Sequence, residues 1–279
     1  MTDEMAAAAA MRSAEQTDEL SCLDGTIQAA SETYIPATDE GLLRGDGVFE
    51  VVRVYDGRPF ALAEHLDRME RSAANLRLGD VPRADLEAET AELLEARGGA
   101  AFDGCLRIVL TRGGRRLLLT EPLPPGVERI RLGFVTFAPT RVLDGVKSLS
   151  YAGNMLASRL ARERGFDEAL LVTPHGRVLE APTSSVFWVD EAGTLCTPPL
   201  DEHILASITR DRVLQVADVT ERPCPKEEIL RAREAFIAST TREVQSVAAI
   251  EDVELTEGPV TREAAAAVGA RIEEELAGG

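Results

Sequence analysis

One stretch in the first half of the chain constrains the fold most. Residues 45–55 form an alternating, β-branched run that ends at the turn Asp56-Gly57, and residues 59–62 follow as a second extended segment. This pattern predicts a β-hairpin. In the next segment, 63–76, apolar residues recur every three or four positions, which predicts an amphipathic helix. We therefore expect residues 45–76 to form a strand pair that is followed by a helix.

The rest of the chain mixes both element types, and we find no internal repeat. Further helices are predicted at 84–96, 151–164, 207–217, 227–232 and 261–276. Further strands are predicted at 23–27 (a short hairpin), 106–111, 130–137, 168–173, 177–180, 186–189, 194–196 and 234–238. This mixture predicts an α+β protein with two domains. The expected division is an N-terminal extension at 1–22 without fixed structure, a small domain at 23–138 and a large domain at 139–279.

Composition limits the partners and the compartment. The formal net charge is −18, which argues against nucleic acid and anionic membranes as partners. The four cysteines are scattered without a CxxC pair, and with only three histidines there is no metal-ligand spacing. We expect reduced thiols and no metal. With no long apolar stretch and no basic leader at the N-terminus, a cytoplasmic protein is expected.

Lysine is almost absent from this chain. Of 30 Lys and Arg residues only Lys147 and Lys226 are lysines. An arginine stays protonated, whereas a lysine amine can lose its proton and act as a nucleophile or a base. Lys147 lies between apolar neighbours just before a helical pattern, and Lys226 resembles an exposed first helical turn. Chance retention of two lysines in an Arg-rich chain remains an alternative on the count alone.

Several other features have two interpretations. The loop 112–116 holds three arginines and is either a solvated turn or a trap for a substrate carboxylate. Gly45 and Gly47 form either a plain turn or a place where backbone approaches a ligand. Taken alone, His65 is most often structural and Arg68 a surface residue.

The chain contains what a pyridoxal 5′-phosphate site requires. Such a site needs one lysine, a carboxylate beside the pyridine nitrogen, and hydrogen-bond donors for a phosphate. Candidates for these parts are Lys147, Glu180, Ile208-Thr209 at a helix start, Thr240 at a strand end, and Arg68. Each motif is weak alone, so the residues permit this cofactor without proving it.

The motifs as a set resemble the class IV aminotransferases, which are the fold-type IV pyridoxal-phosphate enzymes. The motifs that carry the resemblance follow each other from residue 23 to near the C-terminus: Gly45–Glu50, Glu64–Arg68, Lys147–Tyr151, Gly165–Leu170, Val178–Glu180, Ile208–Arg210 and Ser239–Glu243. The family includes branched-chain aminotransferases, D-amino acid aminotransferases and 4-amino-4-deoxychorismate lyases. The resemblance implies a small N-terminal α/β domain and a larger, β-barrel-like C-terminal domain that binds pyridoxal phosphate.

The resemblance also implies a role for each matching residue. Lys147 would be the Schiff-base lysine and the proton shuttle, and Glu180 would pair with the pyridine nitrogen. Arg68 would contact the phosphate, and further donors would come from Ile208, Thr209 and Thr240. Tyr151 would contact the phenolic oxygen of the cofactor, although its spacing differs by one residue. A homodimer is implied as well.

Several residues depart from the family patterns. Ser207 replaces a common glycine, and Arg44 replaces a common tyrosine. The D-amino acid enzymes have a tyrosine where this chain has Phe49, and an Arg-x-His carboxylate trap where it has Arg115-Arg116. The residues Leu106-Arg107-Ile108 also lack the Tyr-x-Arg pattern of many branched-chain enzymes.

These departures match no single specificity cleanly. The candidate substrate-binding residues are Arg44, Phe49, Arg115 and Thr241. The expected function is transfer of an amino group between an amino acid and a 2-oxo acid. The alternative is a lyase that releases pyruvate and 4-aminobenzoate from 4-amino-4-deoxychorismate. A scaffold without activity is disfavoured because both Lys147 and Glu180 are present.

Overall fold

The computed structural model describes residues 19–278, which form two compact units. The described part of the first unit runs to Leu123 and includes Lys147–Leu149, while the second comprises Pro124–Val146 and Ser150 onward. The predicted boundary at 138/139 differs from this division. Ile130–Thr136, which the prediction placed in the small domain, pairs with two strands of the second unit. A strand already begins at Leu20, within the predicted extension 1–22. Residues 1–18 of that extension lie outside the described residues.

The first unit is built around one antiparallel sheet. Its elements are β1 (Leu20–Leu23), β2 (Thr26–Ala29), α1 (Glu40–Arg44), β3 (Gly47–Tyr55), β4 (Arg58–Pro59), α2 (Leu62–Leu76), α3 (Arg83–Arg97), β5 (Gly104–Thr111) and β6 (Arg116–Glu121). Within the described residues the strand order is β2-β1-β6-β5-β3-β4. The hairpin and the helix predicted at 45–76 are both present.

Alternation along β3 separates the two faces of this sheet. Glu50 forms hydrogen bonds with side chains of α2, so the even-numbered residues face the helix. Phe49 and Val51 therefore face the opposite side. In the sheet register Phe49 lies opposite Val109 of β5, and Val109 lies opposite Leu117 of β6.

The second unit contains a larger mixed sheet that curls into a half-barrel. Its elements are β7 (Ile130–Thr136), α4 (Ala152–Glu163), β8 (Glu168–Val172), β9 (Ser185–Val189), β10 (Leu195–Thr197), α5 (Ile208–Val216), β11 (Thr220–Glu221), α6 (Lys226–Ile229), β12 (Glu234–Ser239), β13 (Glu243–Ile250), β14 (Val253–Glu254) and α7 (Pro259–Gly278). The strand order among the described residues is β11-β10-β9-β12-β13-β7-β8, and β14 pairs with β13.

Aromatic packing fixes the centre of that sheet. Phe187 of β9 and Phe236 of β12 lie opposite each other in the register, and their rings stack with centroids 4.8 Å apart. Trp188 is fully buried on the other face of β9. The two units together confirm the predicted α+β class. None of the helices within residues 19–278 is long and apolar enough to span a membrane.

Candidate active site

Lys147 is attached to the first unit through its backbone. The N–H of Phe49 donates to the carbonyl of Lys147 at 3.0 Å, and the N–H of Leu149 donates to the carbonyl of Gly47 at 2.9 Å. Ser148 forms an antiparallel bridge with Val48. A three-residue segment of the chain thus pairs with the start of β3.

A helix side chain holds the same lysine from another direction. The hydroxyl of Ser72, which is fully buried on α2, accepts the backbone N–H of Lys147 at 3.1 Å. The amine Nζ of Lys147 lies 4.5 Å from the ring centroid of Phe49. A cation over an aromatic face at this distance is attracted by the ring quadrupole. Backbone and amine of Lys147 are therefore both placed by β3 and α2.

A buried charged cluster lies beside this anchor. Glu50 is fully buried, and its carboxylate accepts Nε and Nη2 of Arg68 at 2.8 and 2.6 Å. His65 Nδ1 lies 2.8 Å from the same carboxylate. Burial alone would raise the pKa of Glu50, but the charge and hydrogen bonds of Arg68, with the His65 contact, lower it to about 2.

His65 is held neutral within this cluster. Burial lowers the pKa of its imidazole, and this effect exceeds the opposing influence of Glu50. Since Nδ1 contacts a carboxylate, it carries the proton and donates. Nε2 is buried and has no hydrogen-bond partner among the described residues. Arg68, which was predicted to bind a phosphate, already donates two hydrogen bonds to Glu50. A contact with phosphate would have to form in addition to these two bonds.

Glu180 ends the predicted strand 177–180, where the second unit has isolated bridges instead of a strand. Val178 bridges Val172 at the end of β8, and the carbonyl of Glu180 accepts the N–H of Leu171 at 2.9 Å. The half-buried carboxylate of Glu180 accepts the N–H of Leu205, with its two oxygens at 3.3 and 3.4 Å. This backbone contact orients the carboxylate.

The start of α5 has the form of an anion site. Ser207 caps the helix, and its hydroxyl accepts the N–H of Arg210 at 3.3 Å. Ile208 and Thr209 occupy the first turn and are buried. The N–H groups of a first helical turn point outward with the positive end of the helix dipole, which favours a phosphate.

Two neighbouring strands of the second sheet, β9 and β12, have polar residues at adjacent ends. Ser185 begins β9 and Ser239 ends β12, and the two strands pair in antiparallel fashion at Ala238 and Ser185. The hydroxyls of both serines are buried and lack a hydrogen-bond partner among residues 19–278. Thr240 and Thr241 lie half-buried in the turn after β12. Buried hydroxyls without partners are costly unless a ligand satisfies them.

Arg242 connects that turn to the loop after Glu180. Its Nη1 donates to the hydroxyls of Thr183 and Ser184 at 3.0 and 3.1 Å. Its Nη2 lies 3.6 Å from the buried carboxylate of Glu168. The hydroxyl of Tyr151, the residue before α4, donates to the carbonyl of Pro182 in the same loop. The predicted contact of Tyr151 with a cofactor stays a prediction.

The arginines proposed for substrate binding have acidic partners. Arg44 is exposed at the end of α1 and pairs with Glu40. Arg115 Nη1 lies 2.6 Å from Asp24 Oδ2. Arg112 pairs with Asp46, and Arg116 with Glu89. A substrate carboxylate at Arg115 would therefore have to compete with Asp24.

The donor set fits pyridoxal phosphate. The chain supplies an oriented amine, an oriented carboxylate, a capped helix start, and buried hydroxyls without partners. Sequence reasoning missed Ser72, because a serine within an amphipathic helix carries no distinguishing signal. It also missed Ser185 and Ser239, although Ser239 begins one of the motifs that carry the family resemblance.

Comparisons with known proteins agree with this fold. The family model for amino-transferase class IV matches residues 47–250. The chain therefore belongs to the class IV aminotransferases, and it is a pyridoxal-phosphate-dependent transaminase with the fold-type IV architecture.

Three curated relatives show the range of this family. A Methanocaldococcus jannaschii protein assigned as a branched-chain-amino-acid aminotransferase is 36% identical over 248 residues, covering 81% of this chain and 85% of its own. A D-alanine aminotransferase of Bacillus licheniformis is 31% identical, with 91% and 97% covered. A Mycobacterium tuberculosis protein named as a bifunctional aminodeoxychorismate lyase and D-amino acid transaminase is 32% identical, with 72% and 79% covered.

Solved structures share the fold. The branched-chain aminotransferase of Thermoproteus uzoniensis, solved with norvaline, is 28% identical at a TM-score of 0.84, covering 92% of this chain and 95% of its own. An aminotransferase of Mycobacterium tuberculosis in its PLP-bound form is 26% identical at a TM-score of 0.81, covering 92% and 99%.

Proposed function

We propose that Lys147 is the reacting amine of this transaminase. Its backbone is held on both sides, by Ser72 at the N–H and by Phe49 at the carbonyl. A lysine whose main chain is fixed in this way directs its amine reproducibly, which proton transfer in a bound complex requires. The other lysine, Lys226, is exposed at the start of α6, where its N–H donates to the carbonyl of Gly176 at 2.8 Å.

Glu180 is proposed to hold a proton at the pyridine nitrogen of the cofactor. The contact of its carboxylate with the Leu205 N–H holds this side chain in place for that role. Phosphate would be held by Ile208 and Thr209 at the start of α5, by Thr240, and by Arg68. The hydroxyls of Ser185 and Ser239, which lack a partner among residues 19–278, support a polar ligand at the adjacent ends of β9 and β12.

When bound, pyridoxal phosphate supplies an aldehyde that exchanges amines and a ring that withdraws electrons from the substrate. The chain supplies the positioning and the proton transfer. The amine of Lys147 would take up the proton from the substrate Cα and donate it to the C4′ carbon of the cofactor, which the transferred nitrogen separates from Cα. The carboxylate of Glu180 would keep the ring nitrogen protonated during this transfer.

The proposal also covers the residues that bind the substrate, the oligomeric state and the cellular location. Phe49, Arg44, Arg115 and Thr241 are proposed to line the substrate, and Tyr151 to contact the phenolic oxygen of the cofactor. A homodimer is proposed because the family resemblance implies one. A cytoplasmic location is supported by the four unpaired, buried cysteines.

The observation that carries the proposal is the double backbone anchor of Lys147. The experiment is an absorbance spectrum of the cofactor-loaded protein before and after single L- and D-amino acids are added. We expect a visible band that disappears with an amino acid and returns with a 2-oxo acid. The enantiomer that removes the band identifies the handedness of the substrate.

The lyase remains a second candidate, because the Mycobacterium tuberculosis relative is named for both activities. The two reactions share every proposed cofactor residue and differ on the substrate side. Incubation with 4-amino-4-deoxychorismate and detection of pyruvate separates them. A band that resists every amino acid, together with release of pyruvate, would favour the lyase.

A further inference from the structure

The face of the first sheet that carries Phe49 is mainly apolar. Phe49 and Val109 are buried and lie opposite each other on β3 and β5. Val51, Leu117 and Leu119 are half-buried, and the two-residue period of the strands places them on the same face. Since Nζ of Lys147 lies over the Phe49 ring, this face lies next to the proposed reacting amine.

One ion pair interrupts the apolar face. Arg107 Nε and Nη2 donate to the two carboxylate oxygens of Glu121, both at 2.9 Å. The guanidinium carbon of Arg107 lies 5.6 Å from the centroid of the Phe49 ring. Lys147 and Arg107 thus contact the same aromatic ring. A two-point fork of this kind satisfies the carboxylate-binding edge of an arginine.

We propose that Glu121 masks Arg107, so that this face selects amino acids with apolar side chains and discriminates against a second carboxylate. The proposal rests on the proposed role of Lys147 and names the substrate class of that site. The side chain of a substrate held at Lys147 would lie against Phe49. An apolar side chain gains contact with the sheet face, whereas a distal carboxylate would meet an arginine whose fork is already occupied.

The same masking bears on the choice between transaminase and lyase. The lyase substrate 4-amino-4-deoxychorismate carries two carboxylates, one more than an aliphatic amino acid has. A site that withholds its nearest guanidinium binds the second carboxylate weakly. The ion pair therefore favours transamination of an apolar amino acid over the lyase reaction at this site.

The test is removal of the masking charge in Glu121→Gln. The variant should fold, because a half-exposed ion pair contributes little to stability. The ratio of kcat/KM for leucine to kcat/KM for glutamate, each as the reactive enantiomer, is expected to fall about tenfold, since a freed charged donor gains one strong hydrogen bond. Glu121→Asp, with a shorter side chain, is expected to give a smaller fall in the same direction.

Two matched variants assign the effect to Arg107. In the double variant Arg107→Met/Glu121→Gln the ratio should return toward the wild-type value, because the newly exposed guanidinium is gone. Glu254→Gln removes the carboxylate partner of Arg131 in the second unit at the same contact distance of 2.9 Å, and it should leave the ratio unchanged.

A binding measurement separates this proposal from the proposed function. Calorimetry on the cofactor-loaded protein with glutarate and with 4-methylpentanoate reports selectivity without turnover. Glu121→Gln is expected to tighten glutarate about tenfold relative to 4-methylpentanoate. A wild-type preference for glutamate over leucine would contradict the proposal that Glu121 masks Arg107. An equal ratio of kcat/KM for leucine to kcat/KM for glutamate in Glu121→Gln and Glu254→Gln would also contradict it. Absence of turnover with every amino acid, while glutarate still tightens, would instead contradict the transaminase.

Discussion

Arg68 illustrates how one residue serves both the fold and the site. The motif that contains it predicted a phosphate contact, and the structure adds a two-point fork onto the fully buried Glu50. A buried carboxylate must be paired, because an isolated charge in the protein interior is strongly unfavourable. Removing Arg68 therefore affects stability as well as cofactor binding.

Arg68→Ala is expected to lower the free energy of unfolding of the cofactor-free protein by about 3–5 kcal/mol, because the buried charge of Glu50 then keeps only the neutral His65 as a partner. Urea unfolding measures this change. Arg83→Ala is the control: Arg83 contacts three carboxylates at a half-exposed site and should cost less than about 1 kcal/mol. Equal losses in the two variants would mean that Glu50 is not held as described.

His65 gives this cluster a pH dependence whose sign follows from the pKa shifts. The pKa of His65 in the folded protein lies below its usual 6.5, so below that pH the unfolded chain takes up a proton that the folded chain does not. Glu50 acts in the same direction at lower pH. Its contribution is present above its usual pKa of 4.5 and is lost as the pH falls towards about 2.

The free energy of unfolding of the wild type should therefore fall with pH below 6.5, and His65 accounts for at most about 1.4 kcal/mol per pH unit of that slope. His65→Gln is expected to reduce the slope between pH 6.5 and 5, although it also lowers the stability at neutral pH. His175→Gln, at an exposed turn, should keep the wild-type slope. Identical slopes in all three proteins would refute the assignment to His65.

At the scale of elements, α2 is the main support of the site. His65, Arg68 and Ser72 lie on one face of it at helical spacing, and Ser72 reaches the backbone of Lys147. The helix itself was predictable from its apolar period. Its contact with a residue 75 positions later was not, because periodicity identifies the buried face of a helix and not its partner.

Ser72→Ala removes the acceptor of the Lys147 N–H and is expected to slow the single-turnover reaction with an amino acid about tenfold, with cofactor affinity nearly unchanged. Stopped-flow absorbance measures the rate, and fluorescence titration measures the affinity. Ser158→Ala is the control, because Ser158 is buried on α4 and its hydroxyl bonds only its own helix among the contacts described. A wild-type rate in Ser72→Ala would show that Ser72 does not position Lys147.

Most of the longer strands were predicted, among them β3, β5 and β9, but two were overlooked. The strand β6 was overlooked, because Leu117, Leu118 and Leu119 form a short apolar run without β-branching, which sequence alone assigns to neither type. The strand β13 was overlooked because Gln245 and Ser246 interrupt its apolar pattern.

At the scale of the whole molecule, pairing decides which residues belong together. The order of motifs along the chain predicted the class, the cofactor and the amine. It placed Lys147 in the second domain, whereas contacts group Lys147–Leu149 with the first unit through β3 and α2. A boundary drawn from chain order cannot reveal a short segment that pairs with an earlier strand.

The cysteines test the packing of both units at once. All four are buried, and burial raises the pKa of Cys105 to about 11 and that of Cys224 to about 12. A thiol reagent at pH 8 should therefore find no reactive cysteine in the native protein and four after denaturation, since the thiolate is the reactive form. Rapid reaction of any native thiol would contradict the described burial.

The central claim is that Lys147 carries the cofactor, and a single labelling experiment tests it most directly. The protein is loaded with pyridoxal phosphate, reduced with borohydride, digested, and its peptides are weighed by mass spectrometry. Since the chain has only two lysines, Lys226 serves as an internal control. We expect one stable pyridoxyl group on the peptide that contains Lys147 and none on Lys226. Labelling of Lys226 instead, or of neither lysine, would contradict the account.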